Sequence, residues 1–184
     1  MKHNYLMLLL LFGFSLRIWA YEMIQGKIVA TSPNLQIELT DGSNYYLFTE
    51  SDSLKDDLAR LQIGDKIHFQ GRKQNNCIQL ILFEHIDLQG LLDTWQSQNW
   101  YFFTFKPLGE LTIYNPFTDN NELEKFFSYT IYPGTDDRWT IVLSGEDTNK
   151  VGYLQLLPQQ AHLTLLHQDK PHSEEVYDLH RVLQ

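Results

Sequence analysis

The chain of 184 residues has a single cysteine, Cys77. A lone thiol excludes an internal disulfide, so apolar packing must hold the fold. A small buried strand residue is a simpler reading of Cys77 than a reactive thiol. Positive charge is also scarce: 14 Lys and Arg stand against 23 Asp and Glu, for a net charge of −9. A basic stripe able to neutralise phosphates is hard to assemble from so few cations, which excludes nucleic acid as a partner. An anionic membrane surface is excluded on the same ground. No Gly-x-Ser-x-Gly, no phosphate loop and no Cys–His partnership occurs, so no catalytic residue and no cofactor is expected. No Asn-x-Ser/Thr acceptor occurs either, which fits a bacterial source.

Residues 1–20, MKHNYLMLLLLFGFSLRIWA, have a basic start at Lys2 and His3, an apolar run from Tyr5 to Leu16, and a small residue, Ala20, at the end. That is the layout of a secretory signal, with cleavage expected after Ala20. The run is shorter than the ~20 apolar residues of a membrane span, and Arg17 interrupts it. No cysteine lies near the site for lipid attachment. Losing Lys2 and Arg17 takes the net charge from −9 to −11. The expected product is periplasmic or secreted, with no transmembrane segment after cleavage.

Residues 21–89 form a first strand-rich block. MIQGKIVAT places Ile24, Ile28 and Ala30 on one parity, Ser32-Pro33-Asn34 makes a turn, and LQIELT alternates Leu35, Ile37 and Leu39 with polar residues. Asp41-Gly42 signals a hairpin into NYYLFTE. Ser51 or Ser53 is placed to cap a short helix whose Leu54, Leu58 and Leu61 share a face. Gly64-Asp65 ends it, and KIHFQGR and CIQLILFEHIDL add two strands. The order of three strands, helix and two strands resembles the OB-fold barrel from Met23 to about Leu88. That resemblance implies base stacking on aromatics in a basic groove. Tyr45, Tyr46 and Phe48 offer rings, but six basic residues face ten acids in this block. The first hairpin loop is also only about three residues long. Those rings are therefore read as core or strand-face residues.

Residues 90–184 begin with LLDTWQSQNWYFFTF, which holds six aromatic residues from Trp95 to Phe105. Alternating runs then recur between Pro107-Leu108-Gly109, Pro133-Gly134, Ser144-Gly145 and Pro158. Breaks at eight- to twelve-residue spacing indicate a closed antiparallel meander of about eight strands. Only 116–125 resists, and DNNELEKFF is read as one helical turn. LLDTW, the Phe-x-Phe-x-x-x-Gly-x-Leu that follows, and the closing VYDLHR are similar to lipocalin-like domains. Trp95, Tyr177, Leu179 and Arg181 match that family's opening and closing motifs, while Asp93 stands in place of its Gly. The resemblance implies a structural pair at one barrel end, with Arg181 folded over Trp95 and Tyr177 and Leu179 in support.

The fold class is thus all-β with one short helix: an OB-like five-stranded barrel followed by a small lipocalin-like barrel. His162, His167, His172 and His180 invite a metal reading, but residues five apart on a strand face opposite sides. They are read as solvent-facing, with no metal ligands among them. Asp136-Asp137, Glu146-Asp147 and Glu174-Glu175 are read as solvated turn residues, since an acid–base pair needs a shielded cleft. The inward set of the second barrel is bulky: Phe103, Phe105, Leu111, Ile113, Tyr129, Ile131, Ile141, Leu143, Leu154, Leu156, Leu163 and Leu165. Eight short strands leave room for little beyond side chains, so a solid floor with a shallow mouth pocket is expected. The expected function is non-enzymatic binding of another protein or an envelope component. A carrier of a small hydrophobic ligand is the alternative, and a hydrolase with an unrecognised site a remote one.

Overall fold

The first block closes as its alternation requires. Its strands are β1 (Glu22–Ala30), β2 (Gln36–Leu39), β3 (Asn44–Phe48), β4 (Lys66–Gln74) and β5 (Cys77–Asp87), with helix α1 (Asp52–Arg60) between β3 and β4. The structure, a computed structural model, describes residues 21–117, 124–146, 148–166 and 173–182. The expected leader, 1–20, lies outside the described residues. The barrel order is β1-β2-β3-β5-β4, with β3 parallel to β5 and the other pairs antiparallel. Ile28, Ile37, Ile67, Phe69, Ile78 and Leu80 fill it, and α1 adds Leu58 with Leu61 just beyond its end. Three local expectations need correction. The β1–β2 connection runs over residues 31–35, longer than the three-residue loop read from the sequence. The Ser51 hydroxyl meets the Ser53 hydroxyl at 2.9 Å and makes no capping bond to a backbone N–H of the helix. Cys77 is half-buried, because it opens β5 at the hairpin rather than sitting in its middle.

The second block supplies eight strands: β6 (Asp93–Ser97), β7 (Phe102–Lys106), β8 (Glu110–Tyr114), β9 (Glu124–Pro133), β10 (Trp139–Ser144), β11 (Asn149–Leu156), β12 (Gln160–Leu166) and β13 (Glu174–Arg181). Each pairs antiparallel with the next, and β13 returns to β6, so the barrel has no open edge. Closure removes the unpaired backbone groups that an exposed edge would present. Of the expected inward residues all are buried except Ile113 and Leu156, which are half-buried against the core. The helical turn in DNNELEKFF is not formed where it is visible. Residues 119–123 lie outside the described residues, and 124–127 belong to β9, where Phe127 pairs with Leu111. Glu174 and Glu175 open β13 instead of forming a turn.

A 3-10 turn, Gln89–Leu91, connects the barrels. Asp65 pins it: one carboxylate oxygen accepts the Gln89 N–H and the other the Gln62 N–H, each at 2.8 Å. Arg60, at the end of α1, crosses to the second barrel. Its guanidinium lies 4.2 Å from the Trp139 ring centroid and donates to the Arg138 carbonyl at 2.9 Å, while Asp57 holds it from behind.

Candidate functional site

Trp95 and Arg181 lie where β13 returns to β6, against the turn that links the barrels. Trp95 is fully buried, and its indole N–H donates to the Leu91 carbonyl at 2.8 Å. The Arg181 guanidinium lies 4.7 Å from the centre of the Trp95 ring and donates to the Gly90 carbonyl. Trp95 and Arg181 are also register partners across β6 and β13. Asp93 stands 3.9 Å from Arg181, so its carboxylate faces the same cation. Leu179 is fully buried. Tyr177 lies further along β13, its ring edge-on to Phe103 and Tyr101. Its hydroxyl donates to Glu175 at 3.0 Å, and burial, then the Glu175 charge, holds it well above its ordinary range.

Beside that turn opens a cleft of about 630 Å³, with the β4–β5 ladder on one side and β9 with the Pro107–Gly109 turn on the other. His68 and His85 are directly opposite in the ladder, their rings stacked at 3.8 Å. Asp87 follows His85 by two residues and so shares its face. One donor atom from each of the three lies within 4.8 Å of the others, and all three residues are half-buried. Two β-bulges produce this alignment. An unbroken hairpin would put His68 opposite Phe83, but Ile81 and Glu84 are extra residues on β5, and they carry His85 into that place. Bulges often re-aim side chains near functional sites. Burial, then the neighbouring His85, holds His68 below its ordinary pKa, with Lys66 adding to this and Asp87 opposing it. Across the cleft the Tyr129 hydroxyl donates to the Lys106 carbonyl at 3.2 Å. Burial, then the charge of Asp87, pushes Tyr129 up to about 12.

The lip of the cleft is strained. Leu108 is 92% exposed with φ +68°, a left-handed conformation that branched apolar side chains seldom adopt. Gly109 follows with φ +72°, and a Cβ there would stand 2.6 Å from the Tyr129 carbonyl oxygen. Only glycine fits so close a backbone approach.

A second feature is the outer face of β7, β8 and β9. Trp100 is half exposed with φ +61°, and its ring meets Phe117 edge-on at 6.0 Å. Phe102 and Tyr114 face each other at 6.2 Å, and Phe126 is 67% exposed. Near this end of the barrel lies a pocket of about 150 Å³ lined by Tyr101, Phe127, Lys150 and Tyr177 among others.

The remaining sequence candidates are dispersed. His162 is exposed and pairs with Asp178 at 2.5 Å, and His180 is exposed on β13. His167, His172 and Asp147 lie outside the described residues. Asp136 and Asp137 occupy a turn with left-handed backbone, and Glu175 pairs with Lys150 at 2.8 Å. Tyr45 packs against the core, while Tyr46 is exposed. Sequence reasoning passed over His68, His85 and Asp87. The available signal was His85-x-Asp87 on one strand with His68 on its hairpin partner. Among the described residues no helix is long and apolar enough to cross a membrane. Comparison with known proteins gave no match to a family model, a curated protein or a solved structure.

Proposed function

We propose that this chain is an exported, non-enzymatic binding protein that recognises another protein through the outer aromatic face of its second barrel. The supporting observation is Trp100: a large apolar ring held exposed, on left-handed backbone, beside Phe117, with Tyr114 and Phe126 exposed on β8 and β9. Soluble domains seldom leave aromatic rings clustered in water without a use for them. Tyr, Trp and Phe are also the residues enriched at the centres of protein interfaces. In this reading the first barrel is OB-like, by its order β1-β2-β3-β5-β4 with a helix before β4. The second is lipocalin-like, by its eight-strand meander with Arg181 over Trp95. The likeness in each case is one of shape. A leader at 1–20 would deliver the chain to the periplasm or the medium. The mouth pocket of about 150 Å³ favours a binding module over a carrier, since pockets for small ligands occupy about 300–1,000 Å³.

The test is a photo-crosslinking residue placed at Phe126, and separately at Tyr46 on the first barrel, in the cell that makes the protein. The reading expects discrete protein adducts from Phe126 and none of these from Tyr46. Adducts to lipid or glycan alone would transfer the face to an envelope component and overturn the protein reading. Identical adducts from both positions would remove the face from the account.

A further inference from the structure

We infer that His68, His85 and Asp87 bind a divalent transition-metal ion, zinc in the first place, on the first barrel's wall of the inter-barrel cleft. This goes beyond the aromatic face, which lies on the other barrel. Among the described residues these three form the one group of this composition whose donor atoms come within 4.8 Å of one another. Two imidazoles and one carboxylate make a donor set that suits zinc and its neighbours, with a position left open for water or an incoming ligand. Calcium and magnesium prefer all-oxygen shells, so they fit this set poorly.

The geometry needs little adjustment. Nitrogen donors on a tetrahedral zinc stand about 3.3 Å apart, given Zn–N bonds of about 2.0–2.1 Å. The observed separations of up to 4.8 Å therefore close by side-chain rotation, while the backbone is already fixed. His68 and His85 are held opposite each other by the ladder, and the next pair along it, Ile67 and Ile86, is buried in the core. The two bulges on β5 make the arrangement specific, because an unbroken hairpin would set Phe83 against His68. The open coordination position faces the cleft. Lys66, cross-strand from Asp87 and exposed, lines it together with Tyr129 and Leu108. A ligand completing the shell would thus meet a cation, a phenol ring and a projecting apolar residue.

The experiment titrates zinc chloride into the mature chain, freed of metal by dialysis, and follows binding by calorimetry. Cobalt(II) in parallel reports the ligand field by its visible absorption. The expected result is one zinc per chain, and a cobalt spectrum of low-coordinate nitrogen and oxygen ligation. His68→Ala and His85→Ala should each weaken binding by more than about tenfold, the smallest effect usual for loss even of an outer partner. Asp87→Asn, which keeps the size of the side chain, should do the same and decides the matter if a histidine variant fails to fold. His162→Ala should leave affinity unchanged. Absence of stoichiometric binding, or binding that survives Asp87→Asn and the His68→Ala, His85→Ala double variant at full strength, would overturn the proposal.

Discussion

Trp95 and Trp139 each lie beneath a guanidinium, at 4.7 and 4.2 Å, yet the two pairs join different things. Arg181 reaches Trp95 inside one barrel, across neighbouring strands β13 and β6. Arg60 leaves the helix of the first barrel and reaches Trp139 in the second. The first pair closes a barrel; the second docks two. Both indoles are buried, but the docking contact borders a cleft that Arg60 and Trp139 line, separate from the one that carries the histidines.

The difference is testable through stability, beginning with the closing pair. Trp95→Ala removes a fully buried ring and should cost ~3–5 kcal/mol. Arg181→Ala should cost less, and the double variant less than the sum, because the two share one interaction. Additive losses in denaturant titrations would separate the residues. Asp65→Asn comes next. Both carboxylate oxygens accept backbone N–H groups, and an amide must turn its own NH₂ toward one of them. Leaving that donor without an acceptor should cost ~1–3 kcal/mol, read as a lower unfolding midpoint. An unchanged midpoint would mean that the link does not hold the turn between barrels. The smallest effect belongs to Arg60→Lys, which keeps a cation near Asp57 but loses the flat stack on Trp139, worth ~0.5–2 kcal/mol. It should loosen docking, so proteolysis near residues 89–91 should quicken while the second barrel's own strands stay protected.

Much of the frame was legible because alternation is a local property. Ile37 and Leu39 on one parity, Asp41-Gly42 between strands, and the Pro and Gly breaks after Gln89 each fix an element from a few residues. The Trp95–Arg181 neighbourhood also followed from a resemblance in motifs at the two ends of a meander. What stayed hidden depends on register and docking. A hairpin pattern cannot show that Ile81 and Glu84 are extra residues, and without them His85 does not meet His68. Nor does any spacing announce Arg60 on Trp139, since the helix face that carries Arg60 reads as ordinary solvated surface. The β1–β2 loop and the start of β9 were misjudged for a simpler reason: short polar stretches give no period by which to place a strand end.

The imidazole nitrogens of the cleft offer the decisive test. A proton–nitrogen correlation spectrum of the histidine rings, recorded as zinc chloride is added to the protein, resolves each ring separately. One ring nitrogen of His68 and one of His85 should shift together, saturating at one zinc per chain, while His162 and His180 stay where they are. Shifts confined to the exposed histidines, with His68 and His85 unmoved, would contradict it.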